Sequence, residues 1–311
     1  MKVIHSISNF NASKKAITTI GTFDGIHIGH QRILKDLIKT AKQENKDSIL
    51  LTFFPHPRMV LQENVTIELL NTIDEKSALL EEMGLDYLII HPFSKEFSRL
   101  TALDFVRDVL VNQLNTSKLI IGYDHHFGKN REGNINQLKE YSLLYDFDVE
   151  EIPVQDIDNI SVSSTKIRSA LHNGNLKTAN KYLGYNYSFS GTVVNGKKLG
   201  EKIGFPTANI NIKENYKLIP KTGVYAIKSK IDDAVYYGMM NIGYRPTVDG
   251  DHQTIEAHLF NFNGNLYGAF LKIDLLYFLR DEQKFDSVDE LVLQINQDKE
   301  NTLEYLKNNP H

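Results

Sequence analysis

The sequence predicts an α/β domain followed by a β-rich domain, and three observations carry that prediction. Up to about Tyr182, short apolar runs alternate with helical stripes. After Gly184, serial β-rich runs are punctuated by glycine and asparagine. The length, 311 residues, suits about two domains. The change of pattern falls at residues 183–187 and sets the expected domains at 1–184 and 185–311.

In the first half, strands are expected at 16–20, 48–53, 87–91, 118–121 and 147–152. Helices are expected between them. The stretch 31–43 places Ile33, Leu34, Leu37, Ile38 and Ala41 on one stripe. Further helical stretches are 73–83, 102–114 and 135–145. Such alternation argues for a parallel sheet covered by helices, with ligands bound at the carboxyl ends of the strands. In the second half, strands are expected at 188–194, 224–231, 235–242, 254–262 and 269–279. Serial strands with Asn-Gly turns at 195–196 and 263–264 argue for an antiparallel barrel or sandwich. A last helix is expected from Ser287, where Ser287 and Glu290 form a capping box and Leu291 with Ile295 supplies an apolar stripe.

Composition narrows the class. A hydrophobic fraction of 41% and a charged fraction of 24% are those of an ordinary globular protein. A net charge of −4 implies no broad basic face, so nucleic acid is not an expected partner. The absence of cysteine excludes disulfides and thiolate chemistry. The N-terminus lacks a signal-peptide apolar region, and no run approaches the ~20 residues of a membrane span. A cytoplasmic protein without membrane contact is expected.

Residues 21–30 read Gly-Thr-Phe-Asp-Gly-Ile-His-Ile-Gly-His, between a strand and a helix. A helix N-terminus there points free N–H groups at a ligand, and two imidazoles beside it suggest phosphate. The alternative is a tight turn whose histidines face water. Three other segments bear on the choice. The prolines of Phe54-Pro55-His56-Pro57 fix the backbone after a strand. The loop 122–133 combines Asp124, His125, His126 and Arg131 with glycines. Ser163-Ser164-Thr165-Lys166-Ile167-Arg168 joins hydroxyls to two cations at a helix start. The hydroxyls serve either as helix caps or, with the cations, as a polyphosphate clamp. Metal ligation by the histidines is disfavoured, because carboxylates are sparse around them. Nucleotidyl transfer fits these parts, since it needs positioning and charge stabilisation more than a protein nucleophile. No Walker-type phosphate loop and no protein-kinase catalytic loop occur.

In the second half, Gly191, Gly196, Gly200 and Gly204 fall within 14 residues and lead into Phe205-Pro206-Thr207-Ala208-Asn209. The glycines imply either close ligand approach or a plain hairpin. Thr207 and Asn209 offer oxygens that suit Mg²⁺ and phosphate. Strand alternation puts Glu256, His258 and Phe260 on one face and Ile255, Ala257 and Leu259 on the other. Beside the glycine-rich loop, Glu256 is a candidate base for a substrate hydroxyl; otherwise its face is merely solvated. The segment 279–285 is charged, with Arg280 within reach of a ligand.

In this order, the segments resemble those of the bifunctional prokaryotic riboflavin kinase/FAD synthetase family, over about residues 15–298. The resemblance implies a Rossmann-like nucleotidyltransferase domain followed by a six-stranded antiparallel β-barrel with a C-terminal helix. It implies that the second domain phosphorylates riboflavin with ATP and Mg²⁺ to give FMN and ADP. The first domain would then adenylylate FMN with a second ATP to give FAD and pyrophosphate. It assigns Glu256 as the kinase base, Thr207 and Asn209 to Mg²⁺ and phosphate, and His27 and His30 to the adenylyl-transfer transition state. ATP and phosphate contacts in the first domain are implied for Gly21, Phe23, Asp24, Gly29, Asp124, Ser164, Thr165 and Arg168. Flavin contacts there are implied for Phe54, His56 and Pro57. Kinase-site contacts are implied for Gly191, Gly196, Gly200, Gly204, Pro206, Asn241, Arg245 and Arg280. Lys166 departs from the arginine usual in the family, and Lys lacks the bidentate fork. Two rivals stand beside this reading: another nucleotidyltransferase with an unrelated β-domain, and a flavin-binding regulator that has lost turnover.

Overall fold

The apolar runs of the first half pair side by side into one parallel sheet. The computed structural model describes the chain apart from residues 63–66, 123–125, 154–155, 158–159, 197–198, 248–249 and 310–311. It gives no side-chain surroundings for 156–157, 160–161, 199, 245–247 and 250–252. Contacts divide the chain into two compact units, Met1–Ser164 and Thr165–His311.

The first unit runs β1 (Lys2–Ile4), β2 (Ala16–Ile20), α1 (Ile28–Gln43), β3 (Asp47–Phe53), α2 (Pro57–Leu61), α3 (Ile73–Met83) and β4 (Tyr87–His91). It continues with α4 (Ala102–Asp104), which passes into a π-helix over Phe105–Gln113, then β5 (Thr116–Gly122), α5 (Ile135–Tyr145) and β6 (Asp148–Ile152). A small hairpin, β7 (Asp156–Ile157) with β8 (Ile160–Ser161), precedes α6 (Ser164–His172).

The sheet order is β1-β4-β3-β2-β5-β6, and every pairing in it is parallel. Strand alternation serves two cores. Ile17, Leu50, Leu88 and Ile120 face α1 and α3, while Ile49, Leu51, Ile89 and Leu119 face the π-helix and α5. The stripe expected on α1 is buried throughout, from Ile33 to Ala41. Burying each of its larger side chains stabilises the fold by roughly 1.5–3 kcal/mol. This packing fixes the carboxyl edge of the sheet, where the β2–α1 turn lies.

The second unit holds the rest of α6, then α7 (Leu176–Leu183), β9 (Ser188–Val194), α8 (Leu199–Lys202), β10 (Ala208–Asn211), β11 (Gly223–Ile231), β12 (Ala234–Thr247), β13 (Gly250–Leu259), β14 (Phe270–Arg280) and α9 (Val288–Asn308). Six strands close into an antiparallel barrel, in the order β10-β13-β12-β11-β14-β9 with β9 returning to β10. Between the two alternatives left by the strand pattern, the barrel is the one formed. α6 and α7 group with it through hydrogen bonds. Lys221 N donates to Leu171 O, and the Asn180 side chain donates to Leu275 O and accepts from Tyr187 N. The contact boundary therefore lies some 20 residues before the change of sequence pattern.

Four strands lie outside the expected set: β1, β10 and the two-residue strands β7 and β8. β1 is a three-residue edge strand, too short for a periodic signal. β10, Ala-Asn-Ile-Asn, closes the barrel although asparagine is a poor strand former. At α9, the Ser287 hydroxyl accepts from Glu290 N, but the Glu290 carboxylate reaches Asp286 N, so the expected capping box is only half formed. Leu291 and Ile295 are half-buried, and the buried residues of α9 are Asp298 and Thr302. Asp298 takes two bonds from Arg280, at 2.8 and 2.7 Å, and one from Gln294. Removing one partner of such a pair leaves a poorly solvated charge alone. Asp298→Ala is expected to lower unfolding free energy by about 3 kcal/mol and to speed amide exchange along α9. A change below about 0.5 kcal/mol in denaturant unfolding contradicts this anchoring role.

Candidate functional site

The β2–α1 turn is built from an unfavourable backbone. Phe23 and Ile26 adopt φ of 44° and 35°, and Gly25 adopts 83°. Positive φ is costly for residues with a side chain, so the surroundings must impose it. Lys76 Nζ donates to Thr22 O at 2.6 Å, and Thr52 Oγ1 donates to the same carbonyl. Leu70 N donates to the Asp24 carboxylate at 2.9 Å. Ser164 Oγ donates to Asp24 O at 2.8 Å, and Gln31 Nε2 donates to Ile26 O at 2.9 Å. Four separate segments thus hold one turn.

The two imidazoles lie on this frame. His27 caps α1, its Nδ1 accepting from His30 N. Its ring stacks on His30 with centroids 3.6 Å apart, and His30 in turn packs on Phe23 at 4.7 Å. His27 is only 7% exposed, so the histidines do not simply face water. A side chain at Gly29 would press on the His27 ring at 3.2 Å, and one at Gly21 would meet Phe23 at 3.0 Å. Among the described residues, His30 Nδ1 is a buried polar atom with no hydrogen-bond partner. Burial is the main reason its imidazole stays well below the ordinary value, with the charges of His27 and Lys76 adding to it.

Leu70 and Lys76 were not expected at this site. A lysine on the apolar stripe of a helix is the signal that marks it: Lys76 lies between Ile73 and Leu80 at spacings of three and four. The other expected segments are placed as follows. Phe54 is half-buried and joins the α1-side core. The His56 ring caps α2, accepting from Arg58 N, and Pro57 fills the first helical position. Phe53, Phe93, Phe97 and His91 form an aromatic cluster at the carboxyl ends of β3 and β4, with His91 4.5 Å from Phe97. Asp124 and His125 lie outside the described residues, and His126 is exposed. Thr165 is exposed and Arg168 half-buried on α6, in the second unit.

In the barrel, cross-strand register assembles a polar rung. Glu256 on β13 is paired on one side with Asn209 of β10 and on the other with Asn241 of β12. Directly paired residues share a face, so a carboxylate stands between two amides. Thr207 Oγ1 donates to Glu256 Oε2 at 3.3 Å. His258 donates from Nδ1 to Pro206 O at 2.7 Å and packs against Phe205, fixing the chain that carries Thr207. Ile255, Ala257 and Leu259 are buried as expected, and so is Phe260, in a small cluster with Val224 and Met239.

A cavity of about 540 Å³ opens beside this rung, lined by Asn195, Gly196, Thr207, Asn209, Phe262 and Tyr267 among others. That is the size of a small-ligand site. Gly196 is needed there, because a Cβ would overlap the Asn209 amide at 2.1 Å. Gly204 adopts φ of 84°. Gly200 and Gly191 instead make room for Phe205 O and Asn211 O, which gives both glycines a packing reason. The Arg245 side chain lies outside the described residues. Arg280 is engaged by Asp298, so its first role is to hold α9.

The depressed basicity of His30 has a measurable consequence. Unfolded, His30 titrates near the ordinary 6.5, while the folded ring resists protonation. Stability therefore falls as pH drops through that value, because the unfolded chain binds the extra proton. Going from about pH 7.5 to about pH 5.5 is expected to weaken resistance to denaturant, and His30→Gln to remove part of that loss. An identical pH dependence in the two proteins contradicts the burial of a neutral imidazole.

Comparison with known proteins matches each half separately. A family model described as FAD synthetase matches residues 9–166, and one described as riboflavin kinase matches 183–306. Curated relatives named bifunctional riboflavin kinase/FMN adenylyltransferase include one from Buchnera aphidicola, 38% identical over 98% of this chain and 99% of its own. Others are from Bacillus subtilis, at 34% over 99% of each chain, and Escherichia coli, at 36% over 96% of each. A crystal structure from Streptococcus pneumoniae, titled a macrolide-efflux protein, is 31% identical with a TM-score of 0.90, covering 97% of this chain and 99% of that one. No helix among the described residues here is long and apolar enough to cross a membrane. The paired family models, in one order along one chain, and relatives alike over nearly full length make this chain a member of the bifunctional riboflavin kinase/FMN adenylyltransferase family.

Proposed function

We propose that this chain makes FAD in two steps, phosphorylating riboflavin with ATP at the barrel site and adenylylating the resulting FMN with a second ATP at the parallel-sheet site. The observation that carries the reading is the presence of two built sites on two units, each within its own family match. We set the functional division at 184–185, two residues into the second match. ATP consumption in both steps places the enzyme in the cytoplasm, with small molecules as its partners: riboflavin, FMN, FAD, ATP, ADP and pyrophosphate.

At the barrel, Glu256 takes the proton from the ribityl 5′-hydroxyl as its oxygen bonds to the γ-phosphorus of ATP and the bond to ADP breaks. Its place between Asn209 and Asn241 orients the carboxylate. Thr207 and Asn209, hard oxygen donors beside Glu256 on its β10 side, fit Mg²⁺, which takes few protein ligands when phosphates complete its shell. When bound, Mg²⁺ supplies charge neutralisation on the phosphates. The cavity beside the rung receives substrate, with Gly196, Gly204 and Pro206 at the loop that approaches it.

At the sheet, a phosphate oxygen of FMN bonds to the α-phosphorus of ATP, and pyrophosphate leaves with the electron pair of the broken bond. No protein nucleophile is required; the site positions both substrates and stabilises charge on the reacting phosphorus. His27 and His30 line that position, and a neutral His30 donates without a second buried charge. Ser164, with Gly21, Phe23, Asp24 and Gly29, forms the proposed polyphosphate side; phosphate contacts by Thr165, Arg168 and Asp124 are proposed from the family resemblance alone. Phe54, His56 and Pro57 border the proposed flavin side.

Two substitutions test the division of labour. Glu256→Ala is expected to lower FMN formation at least 100-fold while FMN-to-FAD conversion stays within about threefold. His30→Ala is expected to do the reverse, with a loss of about 100-fold in FAD formation. Chromatography of flavin products reads both. Parallel loss of both activities in either folded variant contradicts two independent sites.

A further inference from the structure

Lys76 is a buried cation that the mechanism above does not use. It is 4% exposed and lies on the core-facing stripe of α3, between Ile73 and Leu80. An apolar residue there fills the same space without desolvating an ammonium, which costs several kcal/mol when unpaired. Its location is tightly defined. A capping box formed by Thr72 and Glu75 starts α3 at Ile73, three residues before it, and the preceding residues Leu69 to Thr72 are all buried. From there Nζ reaches Thr22 O at 2.6 Å, one residue before the first positive φ of the β2–α1 turn. Asp24 supplies the opposing charge, and its carboxylate is itself held by Leu70 N.

We propose that Lys76 is a positioning residue for adenylyl transfer: by holding the Thr22 carbonyl, it fixes the 23–27 backbone that carries His27 and His30. The inference rests on reading the first unit as an adenylyltransferase. A displacement of about 1 Å in such a frame costs about 100-fold in turnover without a comparable loss of binding. Lys76 therefore belongs to kcat rather than to KM.

The test uses the full chain and follows both activities in Lys76→Met and Lys76→Arg. For Lys76→Met, kcat for FMN-to-FAD conversion is expected to fall about 100-fold, with KM for ATP and FMN within about threefold and riboflavin phosphorylation unchanged. Lys76→Arg, which keeps the charge and a donor, is expected to recover at least tenfold of that loss. A Lys76→Met kcat within about threefold of wild type overturns the inference. So does a rise in KM with kcat intact, or an Arg variant as impaired as the Met variant. Loss of folded protein in both variants overturns it too, since Lys76 is then a folding residue. A wild-type chain that makes no FAD from FMN overturns the adenylyltransferase reading and the inference with it.

Discussion

The hydrogen bonds that hold the β2–α1 turn are the constraint on which the first site depends. Three residues at positive φ persist there because every carbonyl from Thr22 to Ile26 that meets a side chain is taken by a donor from outside the turn. The donors come from α3, β3, α1 and the start of α6, elements set in place by the two cores of the sheet. Packing thus supports the strain, and the strain presents the imidazoles. Gly29 leaves room for the His27 ring that caps α1 and stacks on His30, since a Cβ there would press on it at 3.2 Å. The sequence order strand, glycine, histidine pair, helix is the local half of this arrangement, and Lys76, Leu70 and Ser164 are the remote half.

The barrel site rests on a different principle. Its geometry is set by register rather than by a strained turn. Closure through β10 places Asn209 opposite Glu256, and β12 places Asn241 on the other side. A slip of one residue in either pairing would send the amides to the opposite face. The glycine at 196 then lets the loop lie against Asn209, and His258 ties down Pro206. Glu256 and the two amides are therefore fixed by main-chain pairing, an arrangement that suits holding a hydroxyl and a phosphate in line.

Legibility in the sequence followed distance along the chain. The α/β alternation, the α1 stripe and the cluster at 21–30 are local patterns, and they were readable. The alternation that put Glu256 and His258 on one face was also local. Its partners are not, because cross-strand register is a tertiary property; Asn209 lies outside every expected strand yet belongs to the strand that closes the barrel. The Arg280–Asp298 ion pair is not legible locally, because the two residues lie 18 apart on different elements. Lys76 was passed over because a lysine within a helix usually signals the solvent face, and only the fold shows it pointing inward. The family resemblance supplied what local pattern could not, namely a barrel rather than a sandwich and the pairing of two reactions.

The central claim is that two ATP molecules are used differently at two sites on one chain. Incubating the full chain with riboflavin, Mg²⁺ and ATP labelled in either the α- or the γ-phosphate tests it directly. Among the flavins, the account predicts γ-label in both FMN and FAD and α-label in FAD alone, with release of unlabelled pyrophosphate from the α-labelled nucleotide. Absence of α-label from every flavin product, or of γ-label from FMN, would contradict it.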